Sequence, residues 1–128
     1  KVSLMAPPVT IPAVATKTGS FSYAQTYVRD VPTRGSQGSL IQYGGLVMGF
    51  WEFQNTQTVS TNLTILNISG VTLPKSTVAV KIDFLQDYEN FGTLPCKIIL
   101  NTSGNIQTVI NSNNLINHVW MISFSYFV

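Results

Sequence analysis

Apolar and polar residues alternate with period two along much of this chain, and no segment holds a 3.6-residue repeat beyond one turn. The pattern is strongest at Val119–Val128, where Trp120, Ile122, Phe124, Tyr126 and Val128 share one face and Met121, Ser123, Ser125 and Phe127 the other. A strand so apolar belongs inside a sheet, since at an edge it would recruit other chains. Working forward, Ser20–Val28 alternates and predicts a strand, and Arg29–Gly38, with Pro32 and Gly35, predicts a loop. Ser39–Tyr43 resumes as a strand and turns at Gly44-Gly45 into Leu46–Phe53, which is apolar on both faces except at Glu52. Gly49 within it signals a bulge or a close backbone approach. Half of that strand must therefore face a second sheet or another subunit.

Beyond the polar, Thr-rich stretch Gln54–Asn62, a connection or short edge strand, Leu63–Ile68 alternates weakly and closes at Ser69-Gly70. Val71–Pro74 leads to Val78–Phe84, where Val78, Val80, Ile82 and Phe84 point inward and Lys81 and Asp83 outward. Leu85–Pro95 reads as a long irregular loop. Cys96–Leu100 and Asn105–Ile110 form a hairpin around Asn101–Gly104, whose Asn, Ser and Gly suit positive φ. Asn111–Asn117 is a polar connector into the last strand. Some eight strands with closely spaced turns predict an all-β domain over 20–128: an antiparallel β-sandwich, jelly roll or barrel. Residues 1–19 read differently. Pro7, Pro8 and Pro12 remove ladder donors, yet Val2, Leu4, Met5, Val9, Ile11 and Val14 are too apolar for a free linker. They predict an extended neck or linker arm buried against a neighbouring subunit or a stalk, and Lys1 in place of Met suits a piece of a longer chain.

Composition sharpens this picture in one respect. Charged residues are 9% of the 128, against about 25% in an average globular domain, while Ser, Thr, Asn and Gln number 43. With a mean hydropathy of +0.23 and no apolar run near the ~20 residues of a membrane helix, such a surface fits burial in a homo-oligomer. The net charge of +2, without a basic run, gives no expectation of a nucleic-acid partner. The single cysteine, Cys96, excludes an internal disulfide framework and any multi-cysteine metal site.

Candidate chemistry is sparse. Asp83, Asp87 and Glu89 place three of the five acids within seven residues, beside Tyr88. Such carboxylates serve a glycosidase or hold a hard cation, but no calcium-loop pattern accompanies them, and contact residues in a binding loop are the better reading. His118 is the only histidine, which excludes multi-histidine metal sites, and no Gly-x-Ser-x-Gly elbow occurs. Trp120 belongs to the core. Trp51 is a core or interface residue, with a sugar-stacking platform as the minority alternative. Arg29, Asp30 and Arg34 cluster in the Pro/Gly loop, a charge pattern suited to anionic or polyol ligands. Asn62, Asn67 and Asn101 each begin an Asn-x-Ser/Thr triplet, which chance supplies in a chain this rich in Asn and Thr. The expected ligand contacts are Arg34, Asp87, Tyr88, Glu89 and His118. No catalytic residue, metal or cofactor is expected.

The succession of Gly45–Phe53, Val71–Pro74 feeding an amphipathic strand, Ile98–Ile106, and a closing aromatic strand resembles the head domains of bacteriophage receptor-binding proteins over residues 39–128. The ending Ile122-Ser-Phe-Ser-Tyr-Phe-Val128 is also similar to the close of adenovirus fibre knobs. Both resemblances imply a homotrimeric β-sandwich head on a stalk, carried at the tip of a virion and binding the host surface without enzymatic activity. In phage heads the ligand is a cell-surface saccharide held by Trp, His, Asp and Arg. The rival expectations are a eukaryotic-virus head binding a glycan or protein receptor, a structural capsid or baseplate domain, and a polysaccharide depolymerase.

Overall fold

The computed structural model describes residues 14–32, 35–56, 62–86, 89–90, 97–110 and 119–128, with the backbone alone for 84–86, 89–90 and 110. All regular structure among these residues is β. The strands are β1 (Thr16–Thr18), β2 (Ser20–Tyr23), β3 (Val28–Arg29), β4 (Gly38–Tyr43), β5 (Leu46–Asn55), β6 (Thr64–Ser69), β7 (Val78–Gln86), β8 (Glu89–Asn90), β9 (Lys97–Leu100), β10 (Asn105–Ile110) and β11 (Val119–Phe127). Every pairing is antiparallel, in the order β1-β4-β5-β11-β7-β9-β10-β6-β2, with β3 added to β5 and β8 to β7. The result is a nearly closed, barrel-like sheet with two leaves.

Two corners join the leaves. β7 pairs with β9 through Val78–Val80 and with β11 through Lys81–Leu85, so one strand serves both. At the opposite seam β1 pairs with β4 and β2 with β6, and only Gly19 lies between β1 and β2. The Gly19 N–H donates to the Leu40 carbonyl at 2.8 Å. A Cβ there would stand 2.5 Å from the Ser69 carbonyl oxygen and 2.7 Å from Leu40 Cδ2. Glycine at this corner lets backbone pack on backbone. Register shifts in β10, at Ile106/Gln107 against β6 and Thr108/Ile110 against β9, add local bending.

β11 lies between β5 and β7, paired with both, as its apolar face requires. Trp120, Ile122, Phe124 and Tyr126 enter the core beside Phe53, Val47, Leu40, Ile65, Leu66, Ile98, Leu100 and Ile106. The Phe53 and Trp120 rings meet at 5.6 Å. Gly44 alone of its pair has positive φ, so the two-residue link of β4 to β5 has the form of a type II′ turn. Gly49 keeps register with both neighbours, so it is no bulge. It is the expected close approach, because a Cβ would lie 2.6 Å from Phe124 Cζ.

Two local expectations are corrected. Ser20–Val28 is not one strand: the chain leaves β2 after Tyr23, turns through residues 24–27 with Val28 N–H on the Gln25 carbonyl, and re-enters as β3. The Gln25 side chain, which donates to the Thr64 carbonyl at 3.0 Å, anchors that turn to β6. Leu85–Pro95 is not wholly irregular either, since Leu85 and Gln86 pair with Asn90 and Glu89. Of the expected arm, residues 1–13 lie outside the described residues, and Thr16–Thr18 forms β1.

The face of the β1-β4-β5-β11-β7 leaf turned away from the core is also apolar. Phe127 is 81% exposed, Tyr43 54%, Met48 46% and Phe50 43%. Register sets Tyr43, Leu46 and Phe127 in one row and Ile41, Met48 and Ser125 in the next.

Candidate functional site

The densest polar constellation among the described residues forms where the two leaves meet beside β3. β2 alternates, so Phe21 and Tyr23 turn toward the seam while Ser20 and Ser22 stay exposed. Phe21 stacks on Trp51 of β5, ring centroids 5.2 Å apart and planes 24° apart, and meets Phe124 edge-on at 6.1 Å. Gly38, paired with Trp51, admits the indole: a Cβ there would stand 2.6 Å from Trp51 Cε3. The ring thereby directs Trp51 Nε1 to the Tyr23 hydroxyl, to which it donates at 3.2 Å.

Tyr23 is the hub. Its hydroxyl donates to Asp30 Oδ1 at 2.5 Å and lies 2.8 Å from Ser36 Oγ. A phenol has one proton and two lone pairs. With that proton on the carboxylate, the Ser36 hydroxyl donates to Tyr23, and the phenol is fully satisfied. Burial, and then the bond to Asp30, push the Tyr23 pKa above its usual 10.0, so the hub stays neutral at physiological pH. One phenol thus ties β2, the segment after β3, the approach to β4, and β5. The Gly35 N–H on the Val31 carbonyl at 2.8 Å closes the turn that presents Ser36.

Beside this hub an open cleft of about 440 Å³ is lined by Tyr23, Val28, Arg29, Asp30 and Pro32. Val28 is buried and Pro32 exposed, giving an apolar floor and rim. Arg29 is exposed, and its Nε donates to Gln54 Oε1 at 3.1 Å across the β3–β5 pairing. That bond fixes the fork while leaving the terminal amino groups to bind. The Asp30 carboxylate is exposed and has lone pairs beyond the one taken by Tyr23. A positioned acceptor and a positioned guanidinium over an apolar floor form a surface for vicinal hydroxyls or a small anionic group.

Arg34, Asp87, Tyr88 and His118 lie outside the described residues, and Glu89 is described only in its backbone, which pairs with Gln86. Asp83, on β7, is half-buried and well separated along the sheet from the cleft strands. Trp120 is core, and Trp51 is half-buried in the seam. The residues that the sequence reading passed over are Tyr23 and Phe21, which it saw only as alternating strand positions. The adjacent Arg29-Asp30 pair was the available signal. Among the described residues no three of His, Cys, Asp and Glu come together as a metal site, and no helix is long and apolar enough to cross a membrane. Comparison with known protein families finds no family model that matches the chain, and comparison with curated proteins finds no match.

Proposed function

We propose that this chain is the head of a viral attachment protein, most simply a phage receptor-binding protein, that recognises a saccharide on the host cell surface. The head is a homotrimeric β-sandwich of jelly-roll type carried on a stalk at the tip of the virion, and it acts by binding rather than by catalysis. The observation that carries the reading is the cleft. Arg29 and Asp30 are held at its rim by Gln54 and Tyr23, over Val28 and Pro32, on a surface otherwise poor in charge. Neutral polyols are recognised by such fixed donors and acceptors, and the pre-set geometry spares part of the ordering cost of binding.

The experiment is binding of the labelled full chain to bacterial wall polysaccharides and to animal glycans on one array. The reading expects retention on the bacterial set. Asp30→Asn and Arg29→Ala each weaken binding at least tenfold, a loss of about 1.4 kcal/mol or more, with the circular dichroism spectrum unchanged. Binding confined to animal glycans assigns the chain to a eukaryotic-virus head instead, and shortened polysaccharide after incubation assigns it to a depolymerase. No retention on either set, or retention indifferent to both substitutions, removes the cleft as the site.

A further inference from the structure

The cleft beside β3 holds two opposite charges that do not neutralise each other. Arg29 and Asp30 are neighbours in sequence, and successive side chains of a strand point to opposite faces. β3 ends at Arg29, so Asp30 escapes that alternation and both side chains line one cleft. Both are exposed, yet no ion pair joins them, and each is held by a neutral partner instead. Arg29 Nε donates to Gln54 Oε1 on β5 at 3.1 Å, and Asp30 Oδ1 accepts the Tyr23 hydroxyl of β2 at 2.5 Å. The two anchors belong to strands of different leaves, so the seam itself fixes a positive and a negative group in one cleft.

That arrangement discriminates among ligands by charge. An anionic sugar meets the Arg29 guanidinium but brings like charge toward Asp30. A cationic sugar does the reverse, and an uncharged one uses both groups only as ordinary hydrogen-bond partners. A unit that carries an ammonium and an acidic group satisfies both at once. Each contact is then a charge-assisted hydrogen bond, roughly twice as strong as a neutral one. The planar fork of a guanidinium suits a carboxylate in particular, and the terminal amino groups of Arg29 are the part of its fork that Gln54 does not occupy. Buried Val28 and exposed Pro32 supply apolar contact for the C–H face of a ring.

We infer that the cleft selects a zwitterionic sugar unit, its ammonium group on the free oxygen of Asp30 and its acidic group on the terminal amino groups of Arg29. The inference rests on the saccharide reading and narrows it to sugars that bear both charges. Gln54 and Tyr23 are the positioning residues of this site, since they keep guanidinium and carboxylate from closing on each other.

The test is an NMR titration of the isotope-labelled full chain at mildly acidic pH, where the amino groups of the probes are protonated. It follows the backbone amides of Val28, Arg29 and Asp30 and the Arg29 Nε–H. Four sugars serve as probes: glucosaminuronate with both charges, its N-acetyl form with the carboxylate alone, glucosamine with the ammonium alone, and glucose with neither. Glucosaminuronate binds at least tenfold more tightly than each of the others. Asp30→Asn erases its advantage over the N-acetyl form, and Arg29→Gln erases its advantage over glucosamine, with the circular dichroism spectrum unchanged. Equal binding of glucose and glucosaminuronate, or a preference that survives both substitutions, overturns the inference and leaves the saccharide reading standing. Binding of none of the four overturns it too, and the polysaccharide array then judges the wider reading by itself. Straight-chain aminopentanoate presents the same two charges without a ring. If it binds as tightly as glucosaminuronate, the sugar is removed from the inference and the saccharide reading of the cleft falls with it.

Discussion

The Tyr126 hydroxyl donates to the Thr72 carbonyl at 2.7 Å, and the Gln42 side-chain oxygen accepts the Thr72 N–H at 2.8 Å. These two bonds fasten the segment after β6 to the neighbouring leaf. Gln42 is buried, and its amide also donates to the Gly44 carbonyl at 3.2 Å, so one interior side chain satisfies both ends of its amide. Burial raises the Tyr126 pKa to about 12 from 10.0, and Tyr23 and Tyr27 move the same way, chiefly for the same reason. An unfolded chain ionises these phenols near pH 10, while the folded chain keeps them neutral. Their contribution is therefore whole below pH 10 and is lost as pH rises toward about 12. Tyr126→Phe costs about 1 kcal/mol at neutral pH, the worth of one hydrogen bond with part of a carbonyl left unpaired. It also makes the alkaline fall in stability shallower, as urea titrations at pH 7 and above pH 10 will measure. An equally steep fall in the variant removes Tyr126 from the account.

Among the elements, β11 and β7 were the most legible in the sequence, because a period-two pattern with one apolar face has a single interpretation. The interior position of β11 followed from the same pattern, and so did the two-sided character of β5. What stayed hidden depended on contacts distant in sequence. The break after Tyr23 is set by Gln25 reaching Thr64, and nothing within Ser20–Val28 records that. The Tyr23 hub joins Asp30, Ser36 and Trp51 from three other segments, so its chemistry surfaced in the sequence only as a neighbouring Arg-Asp pair. β8 has two residues, too few for any periodicity.

The glycines order themselves by what they touch. At Gly19 an added Cβ meets the backbone oxygen of Ser69, which cannot move without loosening β6. At Gly49 it meets side-chain atoms, the tip of the Phe124 ring and Leu40 Cδ1, and no backbone. Gly19→Ala therefore costs more than Gly49→Ala, each falling roughly within the 1–3 kcal/mol of overpacking. Urea midpoints compare them, and the reverse order would contradict the corner geometry.

For the whole molecule, the nearly closed order of strands means that no leaf stands alone. β11 is paired on both sides over Val119–Ser123 and with β5 alone beyond, while β1 pairs only with β4 and β2 only with β6. Hydrogen exchange should find the amides of Val119–Ser123 in β11 opening only with global unfolding, and those of β1 exchanging through local opening. Protection in β1 equal to that in β11 would mean that the Gly19 corner is as rigid as the core. On the proposed reading, saccharide binding through one guanidinium and one carboxylate should respond weakly to salt, and a salt titration of binding will measure it.

The placing of β11 also governs how the protein is made. On the ribosome, β5 and β7 emerge well before the strand that must lie between them, and until then each exposes an apolar edge. A polypeptide interrupted before Val119 has its two leaves joined only through the Gly19 corner, with the gap between β5 and β7 unfilled. Translation must run into the final ten codons shown here before the interior is complete, so prematurely terminated copies are left for proteases.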